Sequence, residues 1–242
     1  MQTWGLTDAG NVRAQNQDSY RIETVGNGVL AVVCDGMGGA KSGNVASRLA
    51  SEVFSEEVKR SYSLDMTLEE AERVLRTAVN LANITVYEQS QLSEAYNGMG
   101  TTLVAALACG PTVLVLNVGD SRAYHINADG VRCITTDHSV VELMVLRGEL
   151  TPEQAKTHPH KNLITRAVGT GKRVLPDLFR VQVEEGDSLL LCSDGLSNLL
   201  ADQEILFEVV HGARMDDCCQ RLLEIAKHRG APDNVTSVLV SL

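Results

Sequence analysis

An α+β fold, with antiparallel sheets covered by helices, is predicted by three features of this sequence. Strand-like runs come in groups, helix-like periodicities come in groups as well, and the turns between neighbouring strands are too short to hold a crossover helix. The 242 residues suffice for one large domain or two small ones. Since no linker, low-complexity tract or internal repeat interrupts them, a single domain over 1–242 is expected. At 44% hydrophobic and 21% charged, the chain can bury a substantial core, which excludes disordered and fibrous classes.

The opening reads as three strands, Thr3 to Thr7, Ser19 to Val25 and Val29 to Cys34, with Gly26-Asn27-Gly28 as the hairpin turn between the last two. Apolar residues then recur at helical spacing: Val45, Leu49 and Val53 with Ala46, Ala50, Phe54 and Val58. A second helix is predicted over Leu68 to Gln89, with Glu69, Glu70 and Glu72 near its N-terminal end, where acidic groups suit the dipole. Strands follow at Thr101 to Cys109, Thr112 to Val118, Arg122 to Asn127 and Val131 to Thr135, and their tight turns predict antiparallel pairing of neighbours. Ser139 to Gly171 reads as mostly helical, with Thr151-Pro152-Glu153-Gln154 as a capping box. Strands Leu178 to Val183 and Ser188 to Cys192, helices near Gln203 to Val210 and Met215 to His228, and a strand Asn234 to Ser241 complete the chain.

With 31 acidic against 21 basic side chains the net charge is −10, and the basic residues are scattered, so nucleic acid and membrane surfaces are poor partners. The longest apolar runs fall well short of a membrane span. The start lacks the basic-then-apolar pattern of a signal peptide, and no tail is expected after Leu242. Four of the six cysteines, Cys34, Cys109, Cys133 and Cys192, lie in or beside apolar strands, Cys218 and Cys219 are adjacent on a helix, and no CxxC spacing occurs. A reducing, cytoplasmic setting follows from this usage.

The most informative feature is where the aspartates sit. Val32-Val33-Cys34-Asp35-Gly36, Leu116-Asn117-Val118-Gly119-Asp120 and Leu190-Leu191-Cys192-Ser193-Asp194-Gly195 are apolar strands that each run into an acid, while Asp18 and Asp233 flank two more. Singly, such residues are ordinary in turns. If the strand ends coincide, five carboxylates converge, and such a cluster is tolerable chiefly when cations neutralise it. Without His or Cys among them, the donors are hard oxygens suited to Mg²⁺ or Mn²⁺ rather than zinc.

Seven ordered stretches carry a resemblance. They are Arg13-Ala14-Gln15-Asn16-Gln17-Asp18, Asp35-Gly36-Met37-Gly38-Gly39, Gly100-Thr101-Thr102, Gly119-Asp120-Ser121-Arg122, Asp137-His138-Ser139, Ser193-Asp194-Gly195 and Asp233-Asn234-Val235-Thr236. In these the chain resembles the metal-dependent protein phosphatases of the protein phosphatase 2C type, in their compact bacterial form, nearly end to end. The resemblance implies a four-layer α-β-β-α sandwich and two Mn²⁺ or Mg²⁺ ions per chain. By the same resemblance, Asp35 bridges the two metals, Asp194 and Asp233 hold the first, the Gly36 carbonyl binds the second, and Asp18 stands in its shell. Asp120 matches a position that forms a third, weaker site with Asp194. The stretch 137–169 resembles the family's flap and the segment after it. Phosphoprotein substrates, serine/threonine kinases among them, and a monomeric state are implied too.

The activity so implied is hydrolysis of phosphoserine and phosphothreonine monoesters by a hydroxide bridging the metals, since two cations sharing a water lower its pKa toward neutrality. Arg13 stands where the family's phosphate-binding arginine stands, and its guanidinium fork suits the charge that builds on the equatorial oxygens. Ala40 stands where many members carry a histidine, so the usual proton donor to the leaving group is missing and a metal-bound water is expected in its place. The six histidines are expected at loop or surface positions. A Walker A reading of Gly36 to Ser42 fails because Ala40 precedes Lys41, and a nucleophile elbow at Gly119 to Ala123 fails because a strand follows. The remaining alternative is a catalytically silent phosphopeptide-binding module on the same fold, against which the intact carboxylates argue.

Overall fold

The computed structural model describes residues 1–38, 42–212 and 214–242. Gly39, Ala40 and Lys41 lie outside the described residues, so the sequence readings that fall on them are not addressed by the structure. In chain order the elements are β1 (Gln2–Asp8), β2 (Asp18–Val25), β3 (Gly28–Met37), α1 (Gly43–Ser61), α2 (Leu68–Gln91), β4 (Gly100–Thr101), β5 (Leu103–Ala108), β6 (Thr112–Val118), β7 (Arg122–Asn127) and β8 (Gly130–Cys133). They continue with α3 (Val140–Leu146), α4 (Pro152–Lys156), β9 (Asp177–Gln182), β10 (Ser188–Cys192), α5 (Asp194–Ser197), α6 (Asp202–His211), α7 (Cys218–His228) and β11 (Val235–Ser241).

Among the described residues the strands form two antiparallel sheets, ordered β1-β11-β10-β7-β8 and β2-β3-β5-β6-β9, with the short β4 added to β3. The strands run apolar on both faces because both faces are covered. Ala31 and Val33 of β3, Val104 and Ala106 of β5, Leu189 and Leu191 of β10, and Val238 and Val240 of β11 meet between the sheets. The alternate residues Leu30, Val32 and Cys34 pack outward against Ala46, Ala50 and Phe54 of α1 and Leu75, Val79 and Val86 of α2. On the other side Leu190, Cys192 and Leu239 pack against Leu222, Leu223 and Ala226 of α7 and Ile205 of α6. The result is the expected α-β-β-α sandwich. Small Ala and Val side chains dominate the middle layer, which lets the two sheets approach closely.

β1 pairs with β11, seven residues in register, so the first and last strands lie side by side in one sheet. Two sequence expectations on pairing and helicity are corrected here. β6 and β7, neighbours in sequence, belong to different sheets, and the turn between them crosses the seam. The stretch 139–171 is helical only in α3 and α4. Pro159, Gly169 and Gly171 disfavour helix beyond that point. Its backbone bonds instead go across to other segments, Thr165 N–H to the His138 carbonyl and Val168 N–H to the Thr101 carbonyl. Both capping boxes form, Thr67 with Glu70 at α2 and Thr151 with Gln154 at α4.

Candidate metal and phosphate site

Asp18 and Asp35 stand opposite each other in the β2–β3 register, so their side chains share one face of the sheet. Asp35 continues the alternation of Ala31 and Val33, which places it at the end of the space between the sheets. The β10–β11 pair brings the second sheet's acids to the same end. Ser193 N–H donates to the Thr236 carbonyl at 3.1 Å, which sets Asp194 beside Asp233. This approach needs Gly195: a Cβ there would lie 1.9 Å from the Asn234 carbonyl oxygen.

A cavity of about 550 Å³ is walled by Arg13, Asp35, Gly36, Asp120, Asp194 and Asp233, along with Met37, Thr102, Asn162 and Ile164. The structure thus brings together six of the seven site residues read from the sequence. The seventh, Asp18, is buried behind the wall, where Ser193 Oγ and Thr236 Oγ1 both donate to its Oδ2 at 2.7 and 2.6 Å. Its other oxygen, Oδ1, is buried and receives no hydrogen bond among the described residues. A buried anionic oxygen without a donor costs several kcal/mol unless a cation faces it, roughly 1–3 or more on general grounds.

Burial and mutual repulsion dominate the electrostatics. Burial first, then the charge of Asp18 and the other site carboxylates, hold the Asp35 pKa well above the ordinary carboxylate range. Asp18 is pushed up to about 6 by burial against the pull of its two hydroxyl donors. Asp120 is pushed up to about 7 by burial and the neighbouring Asp194, and Asp194 is raised by burial and Asp233. Arg13 Nη2 donates to Asp233 Oδ2 at 2.7 Å. No three His, Cys, Asp or Glu side chains close on a common point among the described residues. The donor set is still all oxygen, clustered and under-compensated, which fits hard divalent cations.

Arg13 is on the rim, its side chain 54% exposed, and a single exposed ion pair of this kind is worth roughly 0–1 kcal/mol. It is weakly tethered. The loop that carries it is firmly held from below: Asn234 Oδ1 accepts from Gln17 N–H at 2.8 Å while its Nδ2 donates to the Ala9 and Gln15 carbonyls. Asn234, Ser193, Thr236 and Thr102 are therefore supporting residues that sequence reasoning quoted within motifs and left without roles. The signal was present, as polar residues adjoining strand-terminal acids. Thr102 Oγ1 accepts from Asp35 N–H at 2.8 Å and meets Ser121 Oγ at 2.7 Å.

The histidine expectation is corrected at His125, which lies in the strand β7 with its Nε2 2.6 Å from Asp187 Oδ2. His138 keeps to a loop, between β8 and α3, but is buried, 5% exposed, and does not wall the cavity. Gly119 N–H donates to its Nδ1 at 3.1 Å, which fixes Nδ1 as the unprotonated nitrogen and leaves Nε2–H facing Asp177 Oδ2 at 3.1 Å. Burial lowers its pKa, in keeping with a neutral ring.

Comparison with known proteins bears on what the cluster is for. The family model described as "Protein phosphatase 2C" matches residues 11–239. The chain is similar to the "Serine/threonine phosphatase stp" of Listeria monocytogenes, 38% identical over 238 residues, covering 97% of this chain and 93% of that one. It is also similar to the crystal structure of the serine/threonine phosphatase Stp1 from Staphylococcus aureus, with a TM-score of 0.93 at 39% identity over 99% of this chain and 94% of that one. A third similar structure is the catalytic domain of the serine threonine protein phosphatase PstP in complex with 2 manganese ions, with a TM-score of 0.85 at 34% identity, covering 98% and 96%.

The pKa directions predict how pH and cation interact. A carboxyl whose folded-state pKa lies above the unfolded value of about 3.9 favours folding while protonated. That contribution is present below about pH 4 and is lost as pH rises through the folded values near 6 and 7 for Asp18 and Asp120. Cation binding runs the other way, since it needs the ionised oxygens. The difference in Tm between Mn²⁺-treated and EDTA-treated protein should therefore grow from pH 5 to pH 7.5. A difference independent of pH across this range would contradict the cluster's role as a cation site.

Proposed function

This chain belongs to the protein phosphatase 2C family, and from that membership we propose a residue-level reading of its serine/threonine phosphatase activity. The observation that carries the reading is the convergence of buried, mutually repelling carboxylates from both sheets on one cavity with an arginine at its rim. Asp35 would be shared by two Mn²⁺ or Mg²⁺ ions, Asp194 and Asp233 would complete the first, the Gly36 carbonyl and the shell residue Asp18 would serve the second, and Asp120 with Asp194 would hold a third more weakly. Divalent cations held there would lower the pKa of a water toward neutrality and offset the charge of the phosphoryl oxygens.

The chain's own residues bind and orient. Arg13 leaves its weak pair with Asp233 and forks onto two oxygens of the phosphoryl group, holding it in line and countering the charge that grows in the transition state. Ser193 and Thr236 keep Asp18 oriented by donating to one of its oxygens, which leaves the other for a cation. His138 is not offered to the leaving group, because both ring nitrogens are engaged away from the cavity.

Residues 1–242 are read as one catalytic domain, with 137–169 as a flap and following segment beside the cavity; Asn162 and Ile164, which wall it, support that reading. Phosphoproteins, serine/threonine kinases among them, are the proposed substrates of a monomeric enzyme. The six cysteines are free thiols, which supports a reducing, cytoplasmic setting. No helix among the described residues is long and apolar enough to cross a membrane. The alternative of a silent phosphopeptide-binding module finds no support in relatives named as phosphatases.

Turnover of p-nitrophenyl phosphate tests the reading directly. Activity should vanish in EDTA and return with Mn²⁺ better than with Zn²⁺, and full activity in metal-free buffer would overturn it. Asp194→Asn, which removes a ligand charge, should lower kcat by several orders of magnitude with the circular-dichroism spectrum unchanged; near-normal turnover would reduce Asp194 to a turn residue. Arg13→Ala should raise KM and also reduce kcat, since the contact exists in both ground and transition states. An unchanged KM for this small ester would remove Arg13 from the site.

A further inference from the structure

Two motifs singled out in the sequence, Gly119-Asp120-Ser121-Arg122 and Asp137-His138-Ser139, have no direct part in binding metal or phosphate beyond Asp120 itself. In the structure the second clamps the first at both ends. On one side His138 holds Gly119 twice, its Nδ1 accepting from Gly119 N–H at 3.1 Å and its own N–H donating to the Gly119 carbonyl at 2.9 Å. On the other side Asp137 takes the Arg122 guanidinium with both oxygens, at 2.7 to 3.2 Å. Between these anchors lies Asp120, at the point where the chain passes from one sheet to the other.

The turn has little freedom of its own to place that carboxylate. Gly119 has φ +108°, and a Cβ there would lie 2.6 Å from Thr102 Cγ2, so the turn is pressed against the Thr101-Thr102 segment and depends on its anchors for orientation. The clamp is also where the flap is rooted. Ser139 caps the first flap helix, its hydroxyl accepting from Glu142 N–H, and Ser139 bridges to Ile164 on the returning strand of the flap. That returning strand docks on His138 as well, Thr165 N–H donating to the His138 carbonyl at 2.7 Å. Beyond it Arg166 Nη1 donates to Asp177 Oδ1 at 2.8 Å, and Asp177 Oδ2 faces His138 Nε2.

We propose that His138 is a positioning residue that ties both roots of the flap to the Gly119-Asp120 turn, so that the flap sets where the Asp120 carboxylate stands. The proposal rests on the reading of Asp120 as ligand of the weaker cation site. A change in flap position reaches the cavity through one imidazole and two backbone hydrogen bonds, over a path with no other metal ligand on it. Substrate seated against the flap then alters the affinity of the weaker site, while Asp35 on β3 and Asp233 before β11 are unaffected.

The test uses two isosteric variants. Asn at 138 places an amide oxygen near the Nδ1 position and can still accept from Gly119 N–H; Gln places its terminal amide near the Nε2 position and leaves Gly119 N–H without an acceptor. The asparagine leaves the larger void of the two, so a packing effect alone would weaken the Asn variant more. Mn²⁺ binding is followed by isothermal titration with a count of free Mn²⁺ by electron paramagnetic resonance, alongside kcat and KM for p-nitrophenyl phosphate. Asp120→Ala defines the Asp120-dependent part of the titration.

His138→Gln should resemble Asp120→Ala, with the weaker site's affinity reduced about tenfold or more, as for loss of a supporting hydrogen bond behind a ligand. The tight sites and KM should be retained while kcat falls. His138→Asn should restore most of the weaker site. Equal titrations for the Asn and Gln variants, with Asp120→Ala distinct from wild type, would overturn the proposal alone. A wild-type titration for Asp120→Ala would overturn the third-site reading and this proposal with it. Should the 138 variants fail to fold, Asp177→Ala alters a residue whose side chain is 40% exposed and removes the carboxylate that faces Nε2 and holds Arg166, whose Nη1 lies 3.1 Å from the same nitrogen; an unchanged weaker site in that enzyme would equally refute the coupling.

Discussion

The structure turns on one constraint, which is that like charges must be held together at the end of a sandwich that would otherwise push them apart. Two carboxylates about 4 Å apart repel by roughly 4 kcal/mol at an effective dielectric of 20. Several such pairs rival the whole stability of a domain. The opposing force cannot come from the site. It comes from the apolar middle layer of Ala, Val and Leu that locks the two sheets face to face. Asp18 and Asp35 sit within the β2–β3 pairing itself, and Asp194 and Asp233 sit two residues outside the strands β10 and β11, close enough for that pairing to fix where they stand.

Around the cluster, polar residues do a narrower task. Ser193 and Thr236 give Asp18 two short bonds on one oxygen, Thr101 and Thr102 grip both backbone groups of Asp35, and Asn234 gathers the Arg13 loop. Each bond spans elements far apart in sequence, so the site forms only when both sheets have formed. Folding and site assembly are a single event here, and the cost of the repulsion falls on the folded state until a cation offsets it.

This division explains what was legible in the sequence. The apolar runs ending in Asp35, Asp120 and Asp194 could be read because a strand delivers its last residue to a sheet rim whatever sheet it joins. The helices α1 and α2 could be read because one face of each is dry, giving a 3.6-residue period. Sheet membership could not be read. With both faces of β3, β5, β6 and β10 covered, the two-residue alternation that marks an inner face disappears, and a short turn such as Gly119-Asp120-Ser121 serves a hairpin and a crossing equally well. The burial of His138 could not be read for a related reason: it is satisfied by the Gly119 backbone and by Asp177, partners 19 and 39 residues away that no local pattern announces. The stretch after α4 failed as helix because its hydrogen bonds go to Thr101 and His138 rather than to its own preceding turn.

The site carboxylates also differ in how they are carried, and that difference orders their expected behaviour. Asp35 lies within a ten-residue strand paired on both sides, and Asp194 opens a short helix packed under β11, so neither can shift without breaking sheet or core contacts. Asp120 lies in a turn whose one glycine adopts a left-handed conformation and whose anchors are the side chains of His138, Asp137 and Asn117 and one backbone bond, from His138 N–H. Side-chain anchors can loosen at a cost of about 1–3 kcal/mol each, far less than parting a sheet. The carboxylate with most room to adjust is thus the one at the crossing between the sheets, while those tied to sheet and core stay where the fold puts them.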